Sequence, residues 1–125
     1  MTDATPILLM TRPKPESQRF VADLQARGAR PFRAVISPLI GISYRADMPD
    51  LAQVSAVILT SRHAIAALVA AGVPCTGRAY AVGGATSRAA AEAGFDVVDA
   101  DGDAEALIAL ITARAPEGQL LHLRG

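Results

Sequence analysis

Apolar residues along this chain gather in blocks of four or five, separated by short polar turns rich in Gly, Pro, Ser and Asp. Ile7-Leu8-Leu9-Met10-Thr11 is stopped by Arg12-Pro13 and Pro15, which predicts a buried strand. Phe20, Val21 and Leu24 recur at helical spacing ahead of Gly28, so residues 16–27 are expected to form a helix. Residues 32–36 read as a second strand. Ser37-Pro38 ends it, because the residue before proline avoids helix and proline has no N–H for a ladder. Residues 39–44 resume as an extended piece. The Pro38 region is therefore the expected crossing between two domains, 1–37 and 38–125.

Beyond Asp47, Pro49 and Asp50 the alternation becomes regular. Ala56-Val57-Ile58-Leu59-Thr60 is a continuous apolar run, the pattern of a parallel strand covered on both faces. Ser61 suits the cap of a helix that turns Ile65, Leu68 and Val69 inward and stops at Gly72. Residues 79–82 form a strand, Gly83-Gly84 a turn, and residues 86–93 a helix closed by Gly94. A strand at 95–98, a turn at Asp101-Gly102-Asp103, a helix carrying Leu107, Ile108 and Ile111, and a strand at 120–123 complete the series. Strand and helix in strict succession predict an α/β fold, a parallel flavodoxin-like sheet flanked by helices.

Composition narrows the class. At 125 residues and 51% hydrophobic, the chain is long enough to bury a core. No apolar run reaches the ~18 residues of a spanning helix, and Met1–Met10 lacks the basic start of a signal peptide. A single Cys builds neither a disulfide framework nor, alone, a zinc site. A cytoplasmic location with no membrane partner is expected. Basic and acidic residues balance at twelve each, against general nucleic-acid binding. They are unevenly placed, though. Up to Ser37, six basic residues face three acidic ones, and from Pro38 onward six face nine. That excess suggests an anion site in the first segment, or a solvated helix face.

Ligands of open parallel sheets bind outside the carboxyl ends of the strands. Three turns of that kind, Thr11-Arg12-Pro13, Thr60-Ser61-Arg62 and Gly83-Gly84-Ala85-Thr86-Ser87, combine hydroxyls, glycines or arginines with helix N-termini. Such ends attract carboxylates and phosphates, although simple capping would use the same residues. No dinucleotide or phosphate-loop fingerprint is complete. Ser61 and His63 stand two apart on a helix and do not face each other, and His63 and His122 share no metal-ligand spacing, so no metal is expected. Cys75, Tyr44 and Tyr80 read as loop or packing residues. What remains is a site of amides, hydroxyls and arginine that would orient an anionic, intrinsically reactive substrate.

The order of motifs resembles the uroporphyrinogen-III synthase family. The resemblance is carried by Leu9-Met10-Thr11-Arg12-Pro13 with Gln18, Leu24 and Gly28, then by Ser37-Pro38-Leu39-Ile40 and by Ala56-Val57-Ile58-Leu59-Thr60-Ser61-Arg62-His63-Ala64. It continues through Ala81-Val82-Gly83-Gly84-Ala85-Thr86, Gly94-Phe95, Gly102-Asp103-Ala104-Glu105-Ala106-Leu107 and the terminal residues 120–125. It implies two α/β domains joined by a two-stranded connection. It also implies a cofactor-free lyase of tetrapyrrole (porphyrin, haem) biosynthesis. Such an enzyme closes hydroxymethylbilane, a linear tetrapyrrole polycarboxylate, into uroporphyrinogen III, inverting ring D through a spiro intermediate and losing water.

Carried over residue by residue, Thr11 and Arg12 lie at the first domain's cleft edge, Ser61 at a helix N-terminus, and Gly83, Gly84 and Thr86 in a substrate-binding turn. Thr86 is the strongest single candidate. The family continues well past Gly125, so the first domain, 1–37, is expected to be incomplete and the chain to be a truncated, poorly active fragment. The competing reading is a non-catalytic flavodoxin-like module that binds an anion or a protein partner. Self-association through exposed strand edges is compatible with either.

Overall fold

The computed structural model describes residues 4–124. Expectations touching residues 1–3 and Gly125 (the outer ends of the two expected domains, Asp3 and the last residue of the terminal motif) lie outside the described residues. Contacts divide the chain into two compact units, Met1–Tyr44 and Arg45–Gly125. The expected crossing at 37/38 is thus displaced to 44/45. Two backbone bonds account for the shift: Ser37 N–H donates to Met10 O at 2.8 Å and Leu39 N–H to Thr11 O at 2.9 Å. They tie the stretch after Pro38 to the first unit.

In the first unit, β1 (Ile7–Met10) and β2 (Arg33–Ile36) run parallel, with Leu8 opposite Ala34 and Met10 opposite Ile36. They are joined by α1 (Lys14–Ala26). This helix begins two residues ahead of expectation, because Pro15 falls in the first turn, where a missing N–H costs nothing. β1 is not the buried strand its apolar run suggests. Met10 is buried, but Ile7 and Leu9 are 60% and 58% exposed. Successive side chains point to opposite faces, and two strands with one helix offer one covered face. Residues 39–44 form no strand, and Leu39, Ile40, Ile42 and Tyr44 are exposed.

The second unit is built on four parallel strands, β3 (Ala56–Leu59), β4 (Arg78–Ala81), β5 (Asp96–Asp99) and β6 (Leu120–Leu123), in the order β5-β4-β3-β6. Helices α2 (Arg62–Ala70), α3 (Gly84–Ala93) and α4 (Ala104–Arg114) connect them. Ile65 and Leu68 of α2 and Ala90 of α3 pack with Val57, Leu59, Ala79 and Ala81 on one face of the sheet. Leu107 of α4 packs with Ala56 and Tyr80 on the other, flanked by Ile58, Val98, Leu110 and Leu120. This is the doubly covered parallel sheet that the unbroken run at β3 requires. Gly94, at φ 118°, closes α3, and a Cβ there would lie 2.8 Å from Cys75 O, so only glycine fits. A 3-10 turn at Leu51–Gln53, capped by Asp50, precedes β3 and has no signature in the apolar pattern. No helix among the described residues is long and apolar enough to cross a membrane.

Leu68 is fully buried between α2 and the sheet, whereas Ile108 on α4 is 64% exposed. Leu68→Ala should cost about 2–5 kcal/mol in urea denaturation, and Ile108→Ala no more than about 0.5 kcal/mol. Equal losses would contradict the packing described.

Candidate functional site

The carboxyl ends of β3, β4 and β5 each pass directly into a turn and a helix N-terminus, so the polar groups excluded from the sheet collect there. After β3, Ser61 caps α2, its Oγ accepting from His63 N–H at 3.2 Å. The capping role expected of Ser61 is therefore filled, and its hydroxyl proton is left to meet another acceptor. After β4, the chain turns through Gly83 (φ 136°) and Gly84 (φ 53°) straight into α3. The helix opens two residues earlier than the sequence suggests, since glycine at both positions tolerates the left-handed backbone that the sharp entry needs.

No side chain caps α3. Gly84 and Ala85 are exposed, so the first amides of this helix point their partial positive charge at solvent. Thr86 and Ser87, in the same turn, are buried, and Ser87 Oγ makes no hydrogen bond. At this mouth backbone amides are the groups most open to a ligand. The Thr86 hydroxyl, unlike that of Ser87, is not among the fully buried side-chain groups, although the residue is only 8% exposed.

The loop after β5 leans against this turn. Gly102 N–H donates to Val82 O at 3.1 Å, and a Cβ on Gly83 would lie 3.2 Å from Gly102 N and 3.3 Å from Asp99 Oδ1. Gly83 thus has a packing reason as well as a binding one. The same loop brings negative charge to the rim. Asp99 accepts from Asp101 N–H at 2.7 Å, Asp103 caps α4 through Ala106 N–H, and Glu105 follows in its first turn. The mouth is electrically lopsided: carboxylates stand on the β5 side, and Arg62 opens α2 on the β3 side.

Thr11 and Arg12 sit in the first unit, exposed at the carboxyl end of β1. Their carbonyls are occupied: Thr11 O accepts from Leu39 N–H, and Arg12 O from the buried Ser17 hydroxyl at 2.9 Å. The expectation of an amide cradle is not met at this turn. Pro15 supplies no N–H, and a buried carboxylate, Glu16, already stands in the first turn of α1. An anion here would be met by the Arg12 guanidinium and the Thr11 hydroxyl. Ser61, Gly83, Gly84 and Thr86 come together on adjacent strand ends of the second unit, and Thr11 and Arg12 belong to the first.

One polar pair leaves no signature in the sequence. Thr60 Oγ1 and His122 Nε2 lie 3.1 Å apart, both exposed, joining the ends of β3 and β6. The residues are 62 apart in sequence, and only the β3-β6 pairing makes them neighbours. Cys75 is buried with its Sγ 3.5 Å from Val73 O, and burial pushes its thiol pKa up. That environment disfavours the nucleophilic thiolate.

The family model for uroporphyrinogen-III synthase HemD matches residues 18–125. The search of curated proteins found no match.

Two outcomes follow from this geometry. Gly83→Ala should destabilise the fold by more than Gly84→Ala in thermal denaturation, because a Cβ at Gly84 meets nothing within 4 Å whereas one at Gly83 meets backbone. Cys75 should react with a thiol reagent at neutral pH far more slowly in the native chain than in 6–8 M urea; equal rates would show that the thiol is not shielded.

Proposed function

The chain belongs to the uroporphyrinogen-III synthase family, and we infer that it serves the family reaction. In that reaction hydroxymethylbilane loses its terminal hydroxyl as water, and the azafulvene so formed closes onto ring D with inversion to give uroporphyrinogen III. The observation that carries this reading is the uncapped start of α3, with exposed amides at Gly84 and Ala85 above the buried Thr86 and Ser87. Helix N-termini of this kind bind carboxylates through N–H donors that need no reorganisation.

The proposed chemistry asks little of the protein in acid or base strength. The electron-rich terminal pyrrole expels the hydroxyl readily, its N–H proton leaving with it as water, so holding the acetate and propionate arms fixes which carbon meets which, and orientation supplies most of the rate. Arg12 and Thr11 are assigned to substrate carboxylates in the first unit. Ser61, Gly83, Gly84 and Thr86 are assigned the same role in the second. The carboxylates after β5 would keep the negatively charged arms off that side.

Uroporphyrinogen III, the expected product, at a hundred times its Kd should stabilise the chain by about 2.7 kcal/mol, read as a rise in Tm that nucleotides, flavin and divalent metals do not produce. Arg12→Ala and Thr86→Val should each weaken binding roughly threefold to tenfold, as expected for loss of one hydrogen bond to a charged group. No shift with the tetrapyrrole would overturn the reading. Binding without any rise in the isomer III fraction from hydroxymethylbilane would reduce the chain to an anion-binding module.

A further inference from the structure

We propose that His122, held in position by Thr60, contacts a carboxylate of the bound tetrapyrrole at the neighbouring carboxyl ends of β3 and β6. The proposal rests on the function inferred above and adds a residue that the family resemblance did not supply.

The topology brings the two strand ends together. From β3 the chain leaves through α2 towards β4, and from β5 it returns through α4 to lay β6 on the opposite side of β3. Helices α2 and α4 pack on opposite faces of the sheet. Ligands of open α/β sheets bind outside the carboxyl ends of the strands, and Thr60 and His122 stand at two such neighbouring ends. His122 is in register with Ile58, so both point to the α4 face, and Thr60 lies two residues further along on the same side. The strand thus ends its apolar series, Leu120 then His122 on this face, with a polar ring at the rim.

The hydroxyl makes the ring useful. Nε2 is engaged by Thr60 Oγ1 at 3.1 Å, which fixes the plane of the imidazole, and no other hydrogen bond to the ring occurs among the described residues. A histidine oriented through one nitrogen presents the other in a set direction, as in metal and catalytic sites. Nδ1 then meets a ligand without first losing side-chain freedom.

Electrostatics favour the same end of the mouth. β6 lies three strand spacings from β5, about 14 Å, so its end is the part of the rim farthest from Asp99, Asp101 and Asp103. That separation exceeds the ~8 Å screening length at physiological salt. Ser61 and the start of α2, adjoining Thr60, add donors rather than acceptors.

The test is the affinity of the 125-residue chain for uroporphyrinogen III, measured with Tm for every variant. His122→Ala should weaken binding roughly tenfold, whereas His122→Asn, which keeps an N–H near the Nδ1 position, should stay within about threefold of wild type. Thr60→Val should cost about threefold in the wild-type background and nothing further in His122→Ala, because the hydroxyl acts through the ring. On titration the His122 imidazole NMR signals should move. Unchanged affinity in His122→Ala, with Tm lowered or not, would mean that the pair merely ties β6 to β3 and would overturn the proposal while leaving the inferred function standing. Failure of wild type to bind would overturn both. Loss in Thr86→Val but not in His122→Ala would overturn this proposal alone.

Discussion

Burying both faces of β3 and β4 is the constraint from which the rest of the second unit follows. Val57 and Leu59 face α2 and α3 while Ala56 and Ile58 face α4, so no position on the strand can hold a polar group without burying it. Hydroxyls, glycine turns and charges are pushed to the strand ends. All four strands are parallel, so their carboxyl ends emerge on one edge, and the turns following β3, β4 and β5 are neighbours there. A site made of amides and hydroxyls is what such a sheet can most readily provide.

The first unit shows the same rule with too few strands to satisfy it. β1 carries the run Ile-Leu-Leu-Met, yet two of its four side chains are largely exposed beside a single partner strand. Whether an apolar run is buried depends on how many strands and helices share its sheet. Elements encoded locally were legible in the sequence: Ser61 as a cap, Asp101-Gly102-Asp103 as a turn, Gly28 and Gly94 as helix stops, and the strict strand–helix succession after residue 55. Each depends on residues within a few positions of one another.

What stayed hidden depends on distant pairings. The segment 38–44 was expected to be extended and to open the second domain, but hydrogen bonds to Met10 and Thr11, nearly thirty residues earlier, hold its start to the first unit. Gly83 was legible as a turn, whereas the approach of Gly102 that also demands a glycine there depends on the β4-β5 pairing. The amide-poor mouth at α1 followed from Pro15 and Glu16, both visible in the sequence. Their effect needed the helix to start at Lys14, two residues ahead of the apolar pattern. Thr60 and His122 are the extreme case, since neither residue signals the other.

The uneven distribution of charge around the second unit's mouth has a consequence for approach as well as for grip. Asp99, Asp101, Asp103 and Glu105 are all exposed and stand on one flank. An incoming molecule bearing several negative charges is turned away from that flank before it touches the surface, and more strongly in dilute salt than in concentrated salt. For a linear polyanion this bias would direct arrival to the opposite side of the mouth, beside Ser61 and the start of α2. The acidic flank would then act as a vane, choosing the side of approach at a stage when no short-range bond has yet formed.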